Sequence, residues 1–239
     1  MGKMLKIASW VIGLCLLIVL IRYPIETKDS WQTWSLPLAG QIIVIDPGHG
    51  GVDGGAVGAD ETLEKDIALQ VSKHLRDYLQ QGGALVYLTR EKDKDLADKE
   101  IKSLSKRKSQ DIRRRVALID DKKADFFVSV HLNAIPSTKW HGAQSFYNPT
   151  SPESENLAKF IQSEIKRNLE NTTRNALAKN NMYLLKETQP PGALVEVGFL
   201  SNVHERDLLK TEAYQKKVAA SIYEGILRYV TEKEFPENS

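Results

Sequence analysis

The stretch IIVIDPGHGG at residues 42–51 limits what this chain can fold into more than any other segment. Its first four residues are apolar and β-branched, which is typical of a strand buried on both faces in a parallel sheet. Pro47 and the glycines that follow then end the strand abruptly. His49 is therefore predicted in a tight turn past the carboxyl end of a strand, where open α/β sheets usually bind their ligands.

Helix and strand patterns alternate along the remainder of the chain. Composition and helical periodicity predict helices at residues 63–81, 107–121, 152–170 and 211–232. Apolar runs predict further strands at residues 84–90, 125–130, 142–147 and 193–199. Residues 91–106 are polar and predict a long loop. This alternation predicts one α/β domain, with a parallel or mostly parallel sheet and helices on both of its faces.

An apolar run precedes this domain. It extends from Ile7 to Ile21 and follows two lysines, Lys3 and Lys6. As a helix it would be ~22 Å long, so it needs its flanking residues to span a hydrocarbon core of ~30 Å. Residues 1–23 are predicted to be a cleaved export signal or, since no small-x-small cleavage site follows, an uncleaved signal anchor. Both interpretations place the rest of the chain outside the cytoplasm, whereas a buried core helix is the ordinary alternative.

The predicted domain occupies residues 41–232, between a linker at 24–40 and a short tail at 233–239. Tryptophans at 31 and 34 in the linker are predicted to pack onto the domain or to lie at a membrane interface. The formal net charge is only +2, with acids and bases mixed along the chain, which argues against a dedicated nucleic-acid binder. Cys15 is the only cysteine, so a metal site in the domain must use histidines and carboxylates.

Four residues of the predicted domain carry side chains suited to catalysis: His49, Glu64, His131 and Glu196. A glutamate in the first turn of a helix usually complements the helix dipole, and a histidine beside a strand is usually a packing residue. Glu196 is harder to explain in this way, because an unpaired carboxylate between the apolar residues of a buried strand is costly. Three other histidines lack such a context and are predicted at the surface: His74, His141 and His204.

Two histidines and one carboxylate form the ligand set of an open catalytic zinc site, in which water takes the fourth position. The metal lowers the pKa of that water toward neutrality. A carboxylate that does not bind the metal can accept the proton and pass it to a leaving amine. Glu196 suits this last role, and Glu64, near the glycine-rich turn, suits the role of ligand. The spacing of these residues is by itself a weak signal, because they lie far apart in the sequence.

A resemblance to a known family is carried by four segments of the chain: VIDPGHGGVDGGAVG, LEKD, SVHLNA and ALVEVGFLSN. In this order they resemble the signature blocks of the zinc-dependent N-acetylmuramoyl-L-alanine amidases of the amidase-3 type, over residues 41–232. The resemblance implies a single α/β domain with a mixed sheet. It also implies that His49, Glu64 and His131 bind zinc and that Glu196 is the catalytic carboxylate. The expected reaction is hydrolysis of the amide bond between the lactyl group of N-acetylmuramic acid and L-alanine of the peptidoglycan stem peptide.

Further segments are similar to a narrower group, the germination-specific amidases of spore-forming bacteria: WSLPLAG, HLNAIPSTKW and NLENTTR. This similarity implies a role in the spore cortex, where removal of stem peptides prepares muramic acid for conversion to its δ-lactam. The stretch between His131 and Gly142 is too short for the long helix that blocks the active site in some relatives. Regulation is then expected from elsewhere, for example from the timing of expression or from an activating or zinc-loading protein partner. The N-terminal helix is expected to hold the enzyme at the membrane, near its peptidoglycan substrate.

Two residues are weaker candidates for contact with substrate. Asn133 is predicted either to donate a hydrogen bond in the site or to close a turn. Arg90 is predicted to pair with a substrate carboxylate or, more ordinarily, with Glu91 or Asp93. The basic segment RKSQDIRRR could meet an anionic wall or membrane, but a solvated helix face is its ordinary interpretation.

Two other classes of function fit parts of the sequence. A zinc carboxypeptidase on a similar sheet would need an arginine to bind the terminal carboxylate of its substrate, and no arginine lies in a recognisable block for that role. A membrane-tethered wall-binding module without turnover would have no reason to keep Glu196 in a buried strand beside metal ligands. The products separate the first class from an amidase, because a carboxypeptidase releases a terminal amino acid and an amidase releases an intact peptide.

Overall fold

A computed structural model describes residues 2–22, 36–232 and 234–236 of the chain. The chain divides into two units, residues 1–35 and residues 36–239, and the sheet belongs to the second unit. The predicted linker residues 24–35, with both linker tryptophans, lie outside the described residues.

The first unit contains helix α1, Gly2–Arg22. Its window Gly2–Val19 has a mean hydropathy of 1.8, and none of that window is buried. The helix is thus long and apolar enough to cross a membrane, by length and composition. Its exposed residues contradict the alternative that this segment is a buried core helix.

The second unit is built on a mixed sheet whose strands, among the described residues, are β1 Ile42–Pro47, β2 Leu85–Leu88, β3 Phe126–Asn133, β4 Gln144–Tyr147, β5 Leu177–Ala178 and β6 Gly192–Phe199. The spatial order is β2-β1-β3-β6-β4-β5. Strands β2, β1, β3 and β6 run parallel to one another, β4 is antiparallel to β6, and β5 is parallel to β4. The predicted mostly parallel, mixed sheet is confirmed.

Helices cover both faces of this sheet: α2 Glu64–Gln81, α3 Leu104–Asp121, α4 Pro152–Leu169, α5 Tyr183–Glu187, α6 Val203–Leu209 and α7 Glu212–Glu232. Apolar side chains of α2, α4 and α7 share one core cluster with the sheet, and those of α3 and α5 share another. Successive strand residues point to opposite faces, so Ile43 enters the first cluster and Val44 the second. Burial on both sides explains why the central strands are apolar at nearly every position.

Strand β3 continues past its predicted end at residue 130. His131 lies inside the strand because its ladder with β6 continues there, with His131 opposite Glu196. The register shifts only between His131 and Asn133. His131 has the same parity along β3 as Phe127 of the α3/α5 cluster, and Glu196 has the same parity along β6 as Leu194. Both side chains therefore belong to the α3/α5 face of the sheet.

The sheet-containing unit begins at Leu36, within the predicted linker. Leu38 is fully buried in the larger core cluster, and its N–H donates to the carbonyl oxygen of Gly82 at 2.9 Å. Gly83 has a φ of +96°, a backbone conformation that suits glycine, and a Cβ there would lie only 2.6 Å from Cβ of Leu36. The segment 36–40 is thus packed against the end of α2.

Candidate metal centre

His49 lies in the turn that follows β1, in a backbone conformation that few side chains adopt. Its φ is 59°, in the left-handed region that disfavours residues other than glycine. Its ring is held by Asp53, whose Oδ2 lies 2.9 Å from Nδ1. Nε2, the other ring nitrogen, lies 3.2 Å from Oε2 of Glu64 and, once deprotonated, is free to bind a metal while Nδ1 donates to Asp53.

Glu64 is the first residue of α2 and is only 2% exposed. Its Oε1 accepts a hydrogen bond from the N–H of Leu132 at 2.8 Å and lies 2.9 Å from Nδ1 of His131. Its Oε2 accepts a hydrogen bond from the N–H of Ala56 at 2.6 Å. The carboxylate is thus fixed by three parts of the chain, which is more than its place at the amino end of a helix requires.

His49, Glu64 and His131 come together in one cluster. Each offers a nitrogen or oxygen atom suited to a metal, and these atoms all lie within 4.8 Å of one another. The two imidazole rings meet edge to face, with 5.0 Å between their centroids. Glycine makes room for the cluster, since a Cβ at Gly48 would lie 2.6 Å from Nδ1 of His131 and a Cβ at Gly55 would lie 2.7 Å from Cδ2 of His49.

The electrostatics of this cluster favour positive charge. Burial opposes a charge on His49, but hydrogen bonds with Asp53 and Glu64, together with their negative charges, raise the pKa of its imidazole to about 9. Burial would likewise raise the pKa of Glu64, but the contacts with His131 and His49 hold it well below its usual range. Carboxylates that keep a proton on a buried histidine would stabilise a divalent cation in the same place.

Glu196 lies opposite His131 on the neighbouring strand β6. Its Oε2 is buried and has no hydrogen-bond partner within the described part of the chain. Burial raises the pKa of Glu196 above its ordinary value, nearby His131 opposes the rise, and Glu64 adds to it. Buried carboxylate oxygens are rarely left unpaired. This oxygen is therefore a candidate to accept a proton or to bind a substrate.

The structure contradicts both predictions for Arg90. The side chain is 1% exposed, so it is not available to a substrate carboxylate. It points under the turn after β1, and its guanidinium donates to carbonyl oxygens, which include those of Pro47 at 3.0 Å and Gly48 at 2.8 Å. Asp93, one of its predicted ion-pair partners, instead contacts Nζ of Lys65 at 2.7 Å.

Asn133 ends β3 and is partly buried, and its carbonyl oxygen accepts a hydrogen bond from the N–H of Leu200 at 2.8 Å. Its role toward a substrate stays a prediction. Of the other histidines, His141 and His204 are exposed as predicted, whereas His74 is half-buried on α2.

A buried polar network beneath the site was not predicted from the sequence. Asp46 is 1% exposed and accepts hydrogen bonds from Thr89 at 2.6 Å, Ser129 at 2.7 Å and Arg115 at 2.8 Å. Burial opposes its charge, but Arg115 and the two hydroxyls lower the pKa of Asp46 to about 2. One signal could have indicated Arg115: it lies four residues before Ile119, on the apolar side of a helix that is otherwise basic.

Fold and site together define a class of protein: a single-domain α/β enzyme with a candidate metal centre and a partly buried glutamate at the carboxyl edge of a mixed sheet. Residues 43–228 match the family model Amidase_3, described as N-acetylmuramoyl-L-alanine amidase. The chain belongs to this family, and the predicted resemblance is confirmed.

The relatives of the chain include amidases of bacteria. It is 55% identical, over 99% of both chains, to the germination-specific N-acetylmuramoyl-L-alanine amidase of Bacillus subtilis. Among solved structures, the CwlD amidase from Clostridioides difficile, in complex with the GerS lipoprotein, gives a TM-score of 0.79 at 40% identity and covers 80% of this chain and 99% of that one. The catalytic domain of CwlV from Bacillus (Paenibacillus) polymyxa gives a TM-score of 0.69 at 31% identity, with coverage of 79% and 97%.

Proposed function

We propose that this chain is a zinc-dependent amidase of the spore cortex. It hydrolyses the amide bond between the lactyl group of N-acetylmuramic acid and L-alanine of the stem peptide, which prepares muramic acid for conversion to its δ-lactam. The single observation that carries this proposal is the cluster of His49, Glu64 and His131, with Glu196 opposite His131 in the sheet, in a chain of this family.

The residues of the cluster fit zinc. Two ligands of a tetrahedral zinc at ~2.0 Å lie ~3.3 Å apart, close to the 3.2 Å between Nε2 of His49 and Oε2 of Glu64. Asp53 on the other nitrogen of His49 is the outer carboxylate that zinc-binding histidines usually have. Zinc in this place would polarise the scissile carbonyl and lower the pKa of a water molecule toward neutrality.

Glu196 supplies the proton transfers. Its unpaired Oε2 accepts the proton of the attacking water and returns it to the nitrogen of the leaving L-alanine. A raised pKa suits both steps, because the carboxylate must hold the proton long enough to deliver it. Its position opposite His131 in the sheet places Glu196 beside a residue of the candidate metal centre.

Helix α1 and the solved CwlD relative support a proposal for where this chain acts and for a protein partner. Helix α1 suits a signal anchor, which would hold the enzyme outside the cytoplasmic membrane, beside its peptidoglycan substrate. The CwlD relative was solved in complex with the GerS lipoprotein. We therefore include a protein partner that activates this chain or loads its zinc.

The described arginines near the site do not favour a carboxypeptidase. Arg90 and Arg115 are 1% and 2% exposed, and their donors already bind backbone carbonyls and carboxylates. A wall-binding module without turnover is disfavoured by Glu196, whose unpaired buried oxygen would only lower its stability.

The test uses the full-length chain in detergent with purified cortex peptidoglycan. New amino groups of L-alanine are counted for wild type, for wild type with chelator, and for Glu196→Gln. We expect release by the wild type, loss of release with chelator and its return with added zinc. Glu196→Gln should bind zinc normally yet release L-alanine amino groups about 10²–10⁴-fold more slowly.

Two results would contradict the proposal. A zinc-loaded Glu196→Gln with wild-type turnover would remove Glu196 from the mechanism. Release of free terminal amino acids instead of intact peptides would favour the carboxypeptidase. Glu224→Gln is the matched control, because Glu224 is a partly exposed glutamate on α7 that pairs with Arg167.

A further inference from the structure

Three consecutive carbonyl oxygens, at the last residue of β1 and in the turn that follows it, accept hydrogen bonds from two buried arginines. Arg90 donates to the carbonyls of Pro47 and Gly48, at 3.0 and 2.8 Å. Arg115 donates to the carbonyl of Pro47 at 2.7 Å and to that of His49. The backbone at each residue from 47 to 49 is therefore fixed by a hydrogen bond from a buried arginine.

Arg115 comes from α3, the helix whose basic sequence suggested a solvated face. It is 2% exposed, and its guanidinium pairs with Asp46 at 2.8 Å and Asp111 at 2.9 Å. Its neighbours Arg113 and Arg114 are exposed. Arg115 of the basic segment thus faces the site, whereas Arg113 and Arg114 face solvent.

A second contact joins the same helix to the ring of His49. Nζ of Lys108 lies 2.7 Å from Oδ1 of Asp53, and Oδ2 of Asp53 lies 2.9 Å from Nδ1 of His49. Lys108, Asp111 and Arg115 are spaced three and four residues apart, which places them on one face of the helix. We name these three residues the anchoring face of α3.

The anchoring face fronts the candidate metal centre directly. Its three residues line a cavity of about 340 Å³ together with His49 and His131. Helix α3 itself is tied down by the polar loop before it, since Asp95 pairs with Arg107 at 2.6 Å and the N–H of Leu96 donates to Asp111 at 2.7 Å. The loop and the basic helix, which the sequence left without a role, thus form one support for the site.

We propose that the anchoring face of α3 positions His49 and thereby sets the affinity of the site for its metal; this inference rests on the proposed function. Arg115 fixes the backbone of His49, which has an unfavourable φ of 59°, and Lys108 fixes its ring through Asp53. Without the anchors, the turn relaxes toward negative φ and Nε2 moves away from Glu64. Arg115 and Lys108 are positioning residues, because they act on the metal only through His49.

The experiment measures zinc affinity of the full-length chain in detergent, by competition with a chromophoric chelator. Arg115→Lys keeps the charge but loses the forked donors, and we expect 10- to 100-fold weaker zinc binding, the range for loss of an outer contact to a ligand. Arg113→Lys is the matched control on the exposed side of the helix and should stay within about twofold of wild type. The zinc affinity of Lys108→Ala should lie between those of Arg115→Lys and Arg113→Lys, because the side chain of Lys108 is 48% exposed.

The melting temperature of the metal-free protein separates positioning from general stability. If Arg115→Lys lowers that temperature but binds zinc as tightly as wild type, Arg115 is only structural and the inference is overturned. Should Arg115→Lys fail to fold, Asp111→Asn serves as the milder variant, because it loosens Arg115 and leaves Asp46 in place. Weaker zinc binding by Asp111→Asn would support the inference, and unchanged binding would overturn it.

The same experiment distinguishes this inference from the proposed function. If wild type binds zinc and Arg115→Lys weakens that binding, but neither releases L-alanine amino groups even with added extract of sporulating cells, the inference holds and the proposed function fails. If wild type releases them and Arg115→Lys binds zinc normally, the proposed function holds and the inference fails. A wild type that binds neither Zn²⁺ nor Co²⁺, alone or with added extract of sporulating cells to supply a zinc-loading partner, would contradict both.

Discussion

Glu64 uses both of its carboxylate oxygens, and the groups around them come from distant parts of the sequence. His131 and Leu132 lie on β3, whereas His49 and Ala56 lie in the turns before α2. The sequence could predict Glu64 as a candidate through its family motif, but it could not predict these contacts. Asp53 and Arg115 were missed for the same reason, since each acts on His49 through the folded chain.

The substitution Gly48→Ala tests whether the position of the His131 ring matters for zinc binding. A Cβ at this position would lie 2.6 Å from Nδ1 of His131, so Gly48→Ala must push the imidazole out of the cluster. We expect zinc affinity to fall roughly 10- to 100-fold, as when an outer contact of a ligand is lost. Competition with a chelator measures this change.

Gly54→Ala is the control for Gly48→Ala. A Cβ at Gly54 would first meet the flexible end of Leu63, at 3.3 Å, and would not touch the cluster. Its zinc affinity should stay near that of wild type. Equal zinc affinities for the two variants would show that the space that Gly48 leaves beside His131 does not affect zinc binding.

At the scale of elements, the strands that form the site were the easiest to predict. β1, β3 and β6 are buried on both faces, so their sequences are almost continuously apolar and short. The polar residues inside them, Asp46 and Glu196, stand out against that background. α5, α6 and β5 were not predicted, because elements of two to seven residues show too little periodicity to be distinguished from loops.

The short helix α6 nevertheless carries a side chain that joins three segments of the chain. Glu205 is 4% exposed and accepts hydrogen bonds from the N–H groups of Gly142 at 2.9 Å and Phe199 at 2.8 Å, and from Asn171 at 3.3 Å. Burial raises the pKa of Glu205, and the two backbone donors oppose the rise. This one carboxylate connects the approach to β4, the end of β6 and the loop after α4.

Glu205→Ala should therefore destabilise the fold strongly. It leaves two buried N–H groups without an acceptor, and we expect the free energy of unfolding to fall by about 2–4 kcal/mol. Denaturant unfolding of the metal-free protein measures this loss. Asp207→Ala, on an exposed position of the same helix, should change it by less than about 0.5 kcal/mol. If both variants unfold alike, Glu205 does not hold these segments together.

At the scale of the whole molecule, one face of the sheet carries most of the apolar core and the other carries residues of the candidate site. The face covered by α2, α4 and α7 holds the larger apolar cluster. The face toward α3 and α5 has a smaller apolar cluster and carries Asp46, His131 and Glu196 at the carboxyl ends of the strands. The fold class could be predicted because alternation of elements is a long-range property of the sequence, whereas this division of tasks depends on which helix packs on which face.

The position at which the sheet-containing unit begins leads to a prediction about the stability of truncated chains. Leu36–Gly40 lies in the predicted linker, yet Leu38 is fully buried and bonded to Gly82. A chain that starts at residue 36 should melt at the temperature of the full-length domain, because the core clusters of the described residues begin at Leu38. A chain that starts at residue 41 loses a buried leucine, which costs about 1.5–3 kcal/mol.

For a domain of this size, that loss lowers the melting temperature by roughly 3–12 °C. Calorimetry of full-length, 36–239 and 41–239 chains in one detergent buffer measures it. Leu38→Ala in the 36–239 chain is the control, because it removes the same side chain and keeps the backbone bond to Gly82. If 41–239 melts with 36–239, the segment does not belong to the folded unit, and the boundary predicted at residue 41 is right. If 36–239 itself melts well below the full-length chain, residues before Leu36 contribute to the stability of the domain.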